Sequence, residues 1–116
     1  MSKVDEVAIA QAVGKNISKK RVACGLTQEN VAERLEIGLE AVSRIERGTV
    51  TPNIVRLCEF ADIFECKVED LITGASSRKL DQANYIVDLI GKLSDSNRKM
   101  IVEVVEKIAS QMQKKK

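Results

Sequence analysis

Apolar positions recur along most of this chain at intervals of three and four residues, the spacing of one face of an α-helix. From residue 4 onward the pattern passes through Val13 and Ile17 and on past Lys19, Lys20, Arg21 and Val22, so a first helix is expected to end at Gly25. Thr27 stands where a side-chain oxygen would meet the free amides of a new helix, and Glu29 puts negative charge in its first turn. That second helix is expected from Gln28 to Leu35, with Val31, Ala32 and Leu35 inward. After a break at Glu36, Ile37 and Gly38, a third helix from Leu39 to Arg47 turns Val42 and Ile45 inward, and Gly48 closes it as a left-handed cap. Thr49 to Pro52 is a connector, because a proline biases the residue before it away from helix. A fourth helix is expected to bury Ile54, Leu57, Cys58, Ala61 and Phe64, and a short fifth, from Val68 to Ile72, ends at Gly74.

Gly74, Ala75, Ser76 and Ser77 are small or polar and form the best boundary in the chain. Beyond it, Tyr85, Ile86, Leu89, Ile90 and Leu93 make one helical stripe. Met100, Ile101, Val104, Val105, Ile108 and Met112 make a second, and Ser94 or Ser96 is placed to cap its helix. Two helices alone bury little of such wide stripes, so a covering surface is required, either the first domain or another copy. Dimerisation through Tyr85, Ile86, Leu89, Ile90, Leu93, Ile101, Val104, Val105, Ile108 and Met112 is the expectation adopted.

Composition narrows the class. At 116 residues, 44% hydrophobic and 31% charged, the chain is one domain or one small domain with an appendage, with enough apolar surface for a core. Aromatics amount to 3% and Pro52 is the single proline, which points to an aliphatic core in an all-α fold. The stacking platforms of RNA and single-strand binders are missing. The net charge of +2 says little, but its distribution says more: Lys15, Lys19, Lys20 and Arg21 cluster early, whereas Glu59, Asp62, Glu65, Glu69 and Asp70 follow later. With no histidine, and with Cys24, Cys58 and Cys66 forming an odd set without a CxxC, no metal and no disulfide framework are expected. The commonest general base is also absent, as are the usual nucleophile, zinc and phosphate-loop motifs, so neither an enzyme nor a cofactor is expected. No apolar run is long enough for a membrane span, and acids stand where a secretory leader would be basic and then apolar. A cytoplasmic protein is expected.

The informative stretch is GLTQENVAERLEIGLEAVSRIERG, from Gly25 to Gly48. Two short helices joined by a tight turn, with the small Ala32 where they approach and an aliphatic pair in the second, fit a helix-turn-helix. Gly25-Leu26-Thr27-Gln28, Val31-Ala32, Val42-Ser43, Ile45-Glu46 and Gly48, followed by Pro52 and the VEDLITG ending, resemble the lambda-repressor-like Cro/CI (XRE) family in order and spacing. The resemblance covers a little over half the chain. It implies an all-α, five-helix DNA-binding domain over residues 13–74. Around it are expected a helical extension at 1–12, a linker at 75–79, a C-terminal helical hairpin at 80–112 and a basic tail at 113–116.

In that family the third helix enters the major groove while the second lies across the backbone. The implied DNA-facing residues are Thr27, Gln28, Gly38, Leu39, Glu40, Ser43, Arg44, Arg47, Thr49 and Thr51. Gln28, at a helix N-terminus, suits a phosphate. Arg44 can donate twice to guanine or contact phosphate, and Glu40 can accept from a cytosine amine or pair with Arg44 within the helix. Ser43 can donate or accept, and Leu39 can meet a thymine methyl. Arg47, Thr49 and Thr51 surround the helix end, where phosphate contacts are common in the family. By the same resemblance Arg21 and Glu46 form an ion pair that holds the third helix to the first. The sequence departs from the pattern at Glu36 and Glu65, where glycine is usual, and Glu36 and Glu40 bring acid toward the DNA side. The expected function is a double-stranded DNA-binding transcriptional repressor acting as a homodimer on a palindromic operator. The alternative is a protein-binding helix-turn-helix module, such as an antitoxin that engages its partner through the C-terminal helices.

Overall fold

The computed structural model describes residues 4–114; the first three positions of the expected extension and the last two of the basic tail lie outside them. Among the described residues there are seven helices and no strand: α1 (Glu6–Ala23), α2 (Gln28–Leu35), α3 (Leu39–Arg47), α4 (Ile54–Phe64), α5 (Val68–Ile72), α6 (Lys79–Gly91) and α7 (Asp95–Lys114). The fold is all-α, as the helical spacing and the lone proline predict. The chain divides after Asp81 into two compact units.

Helix ends in the first unit follow local chemistry. Asp5 caps α1 by accepting from the Ala8 amide at 3.1 Å. Thr27 and Asn30 form a reciprocal capping box at the start of α2, at 3.0 and 2.9 Å. Asn53 caps α4 by accepting from the Arg56 amide at 2.8 Å. Helices α2 and α4 both end on a glutamate in the left-handed region, Glu36 at φ 57° and Glu65 at φ 52°. At both ends the next amide reaches back, Ile37 to the Ala32 carbonyl and Cys66 to the Ala61 carbonyl, each at 3.0 Å. Glycine is the residue that adopts this conformation without cost, and these are the two positions where the resemblance implied a glycine.

The core gathers Ala10, Val13 and Ile17 from α1, Val31 and Ala32 from α2, Val42 and Ile45 from α3, Leu57, Phe60, Ala61 and Phe64 from α4, and Leu71 from α5. It is not purely aliphatic: Phe60 and Phe64 stack inside it with ring centroids 5.9 Å apart. Ile54 and Cys58, expected inward, are exposed. The buried stripe of α4 is Leu57, Phe60, Ala61 and Phe64; Cys58 falls about 100° around the helix from Leu57, and Ile54 occupies the first turn. Val22 is exposed as well. Residues 6–12 form the first turns of α1, with Ala10 in the core. At 75–79, Ala75 packs on the core, and Asp81 accepts from the Ser76 hydroxyl at 2.7 Å.

Two close approaches set the position of α3. A Cβ on Gly14 would lie 2.3 Å from the Ile45 carbonyl oxygen and 2.7 Å from that of Glu46. One on Gly48 would lie 2.6 Å from the Gln11 Cα. The absence of these two side chains lets α1 lie directly on the backbone at the end of α3.

The second unit has no buried residue in α7 or in its part of α6. The Ser94 hydroxyl accepts from the Asn97 amide at 3.2 Å and so supplies the expected cap. Arg98 donates to the Leu93 carbonyl at 2.7 Å and pairs with Asp95, which ties the start of α7 to the end of α6. Both apolar stripes stay open: Tyr85, Ile86, Leu89, Leu93, Ile101, Val104, Val105, Ile108 and Met112 are exposed, and Ile90 is half-buried. No helix among the described residues is long and apolar enough to cross a membrane.

Candidate nucleic-acid interface

Helix α2, the turn at Glu36–Gly38 and helix α3 make the helix-turn-helix, and the burial of Val42 and Ile45 decides which side of α3 faces outward. On that outer side Leu39, Glu40, Arg44 and Arg47 are exposed and Ser43 is half-buried. Gly38 is the exposed N-cap residue of α3 and supplies no side-chain cap. Among the described residues neither Arg44 nor Arg47 is in an ion pair, and Glu40 does not pair with Arg44. Both guanidiniums therefore keep their full donor sets for a ligand.

The orientation of α3 rests on Glu46. Arg21 Nε donates to Glu46 Oε2 at 2.7 Å and Arg21 Nη2 to Glu46 Oε1 at 3.1 Å, a two-point ion pair with both side chains largely buried. Arg21 Nη1 also donates to the Leu26 carbonyl at 2.8 Å, so a single guanidinium joins α1, the turn before α2 and the end of α3. Gln28 Nε2 adds a third bond to Glu46, donating to Oε1 at 3.0 Å. A carboxamide nitrogen carries two hydrogens, so one remains for a second acceptor, and Glu46 fixes where it points. Desolvation offsets much of the attraction in such a pair, which makes its main effect positional.

The remaining expected residues are less uniform. The Thr27 oxygen is used by the Asn30 amide in the capping box. The Thr49 hydroxyl donates to the Arg44 carbonyl at 3.0 Å, so its hydrogen is committed to ending α3 and only its lone pairs face outward. Thr51 is exposed. The first turns of α1, through Glu6, Val7 and Ala10, line a shallow depression with Gly48, Thr49, Val50 and Thr51. Glu36 and Glu40 are exposed carboxylates.

Sequence reasoning missed two supporting residues. Asn16 donates from Nδ2 to the Leu71 carbonyl at 3.1 Å and to the Thr73 carbonyl at 3.0 Å, so α1 caps the end of α5 from a distance of more than fifty residues in sequence. Nothing local marks it. Gly14 had a signal, because a glycine inside a helix costs about 1 kcal/mol relative to alanine and implies a packing reason. The cysteines are free; Cys24 Sγ lies 3.7 Å from the Phe64 carbonyl, and burial pushes the Cys66 thiol up. Among the described residues no group of three or more His, Cys, Asp or Glu side chains is placed to hold a metal ion.

Comparison with known proteins agrees with this geometry. A helix-turn-helix family model matches residues 17–71. The uncharacterized HTH-type transcriptional regulator y4dJ of Sinorhizobium fredii is 34% identical over 61 residues, which cover 53% of this chain and 79% of that protein. The chain belongs to the XRE-type helix-turn-helix transcriptional regulators. A second such regulator, uncharacterized and from Sinorhizobium medicae, is 25% identical over 121 aligned residues, covering 85% of this chain and 87% of its own. Among solved structures, the clp gene regulator ClgR of C. glutamicum matches with a TM-score of 0.54 at 22% identity, over 58% of this chain and 87% of its own. The restriction-modification controller protein C.AhdI of Aeromonas hydrophila matches at 0.51 and 24%, over 53% of this chain and 94% of its own. At these identities the structures speak for the fold. Membership of the family implies DNA binding, and the regulator's helix-turn-helix is the element that would carry it.

Proposed function

We propose that this regulator is a sequence-specific repressor that binds a palindromic double-stranded DNA operator as a homodimer, with α3 in the major groove. The observation that carries the proposal is the outer face of α3. Among the described residues its two arginines are in no ion pair, and the Arg21–Glu46–Gln28 network sets its angle to α1 and α2. Arg44 is the candidate for bidentate contact with guanine, worth about 1–3 kcal/mol in discrimination. Glu40, Ser43 and Leu39 are candidates for neighbouring base edges. The free hydrogen of the Gln28 amide, the backbone at Thr27 and Gly38, and Arg47, Thr49 and Thr51 take phosphate and set register without reading bases. Arg21 and Glu46 are positioning residues.

The open stripes of α6 and α7 support the homodimer, because a second copy supplies an identical apolar surface and two-fold symmetry then places one α3 on each half-site, roughly 34 Å apart. The same exposed stripes favour a second reading, in which they engage a different protein and DNA binding is secondary. Fluorescence anisotropy decides between the two, using the purified chain, DNA from upstream of its own gene and a scrambled duplex, over a salt series. Preferential binding with a steep salt slope, lost in Arg44→Ala and Gln28→Ala, is the expected result. Equal weak binding to both duplexes would overturn the sequence-specific repressor and leave the protein-binding module.

A further inference from the structure

Along the C-terminal half of α1 runs a shallow open groove lined by Lys15, Ser18, Lys19, Val22 and Ala23, with Glu46 at the end of α3 on its other side. Lys15, Ser18, Lys19 and Val22 are three and four residues apart and therefore share one face of α1. Lys15 and Lys19 are exposed, and among the described residues neither is in an ion pair. Among the described residues the one carboxylate lining the groove is Glu46, and both of its oxygens are already taken by Arg21 and Gln28. The groove thus carries two uncompensated positive charges. Through Glu46 it is continuous with Gln28 at the start of α2 and with α3 itself.

We infer that Lys15 and Lys19 bind the DNA phosphate backbone beside the recognition helix, extending the footprint onto flanking DNA without reading its bases. The inference rests on the DNA-binding reading above. Charge complementarity selects the occupant, since the groove adjoins the helix that meets DNA and holds ammonium groups with no acid left to satisfy them. One helical turn separates the two lysines, about 6 Å, and their flexible stems let both ammoniums reach neighbouring phosphates of one strand. Val22 and Ala23 give the groove an apolar wall for the deoxyribose between those phosphates. The sequence alone shows this cluster only as a basic run, which is usually a solvated helix face; the engaged Glu46 beside it makes it a site.

The test uses the full chain and two duplexes of roughly 30 base pairs, about three helical turns. One comes from upstream of its own gene and the other is scrambled. Each phosphate contact contributes about 0.9 to the slope of log K against log salt, so Lys15→Gln/Lys19→Gln is expected to lower the slope by about 1.8 on both duplexes. Its affinity then falls about tenfold less than that of the unmodified protein between 50 and 200 mM salt. The preference for the upstream duplex over the scrambled one stays unchanged, as does the melting temperature. Lys67→Gln/Lys79→Gln, with the same change in net charge, leaves the slope where it was. An unchanged slope in the α1 variant, while the unmodified protein binds, overturns the inference and spares the DNA-binding reading; so does an equal loss in the charge control. Absence of salt-dependent binding by the unmodified protein overturns both.

Discussion

Glutamate at position 36 is the place where the fold and the proposed DNA face conflict with the sequence. Its backbone is left-handed, at φ 57° and ψ 44°, and a side chain with a Cβ costs roughly 1–2 kcal/mol there. Its carboxylate is exposed and makes no ion pair among the described residues, so nothing there offsets that strain. The backbone bonds that end α2, Glu36 to Glu33 at 3.2 Å and Ile37 to Ala32 at 3.0 Å, do not depend on the side chain and survive its removal. Glu36→Gly relieves the strain and gives back about 0.5–1 kcal/mol through the greater freedom of glycine in the unfolded chain. The net stabilisation is about 0.5–1 kcal/mol. For a domain of this size that is a rise of roughly 2–8 °C in Tm. Glu36→Ala is the control, because it removes the same charge and keeps the Cβ. The assay is thermal and urea unfolding of the three proteins side by side, with unchanged m-values as evidence that the unfolded state is comparable. Expected is a gain for glycine and none for alanine. Equal gains would refute the conformational argument and assign the effect to charge. DNA affinity separates the same pair the other way: on the proposed reading both substitutions remove a carboxylate from the DNA side, so both are expected to tighten binding to the same degree.

The other predictions concern the scaffold and the open stripes. Gly14→Ala forces a methyl against backbone carbonyls that cannot rotate away, and is expected to cost about 3 kcal/mol, measured as a shift of the urea midpoint. Glu46→Ala leaves the largely buried Arg21 guanidinium without its partner and releases Gln28; a loss of about 3 kcal/mol in stability is expected, with weaker binding to specific and scrambled DNA alike. Val105→Lys puts a charge in the α7 stripe and is expected to take the mass by light scattering from twice 12.8 kDa to 12.8 kDa at micromolar concentration, with the operator preference weakening in step. Burial raises the Cys66 thiol above its usual value and partly covers its sulfur, so Cys66 is expected to be the slowest of the three cysteines to alkylate at pH 8, read by mass spectrometry. The sign for stability follows: the folded state keeps the proton longer, so the contribution is present below the unfolded thiol's pKa and is lost as pH rises through the folded one.

What the sequence makes legible here is whatever depends on neighbours along the chain. Thr27 as a cap, Gly48 as a left-handed terminator and the stripes of α2 and α3 are short-range facts, and each lies in the structure where the pattern puts it. Ile54 and Cys58 show the limit. Both are apolar enough to enter a stripe, but Phe60 completes the i, i+3, i+4, i+7 set of α4 and leaves Cys58 on the outer side. Side-chain bonds between distant elements are less legible still. The Arg21–Glu46 pair is implied by resemblance alone, whereas the additional bond from Gln28 and the reach of Asn16 to the end of α5 follow from a packing angle that no local pattern encodes.

The two units differ in how far they satisfy their own surfaces, and this bears on how the regulator could be controlled. The first unit encloses a core from five helices, and among the described residues no buried side-chain polar atom lacks a partner. Helix α7 and the α6 residues from Gln82 onward hold no fully buried residue, and their stripes are long enough to lose substantial apolar area to a second surface. A surface that covers those stripes stabilises the two helices by an amount that depends on how much of that partner is present. On the proposed reading, the reading face stays intact at any concentration while the pairing that places two such faces on one operator does not. A change in protein level, or a competitor for the α6 and α7 stripes, would then release DNA without disturbing any residue that touches it.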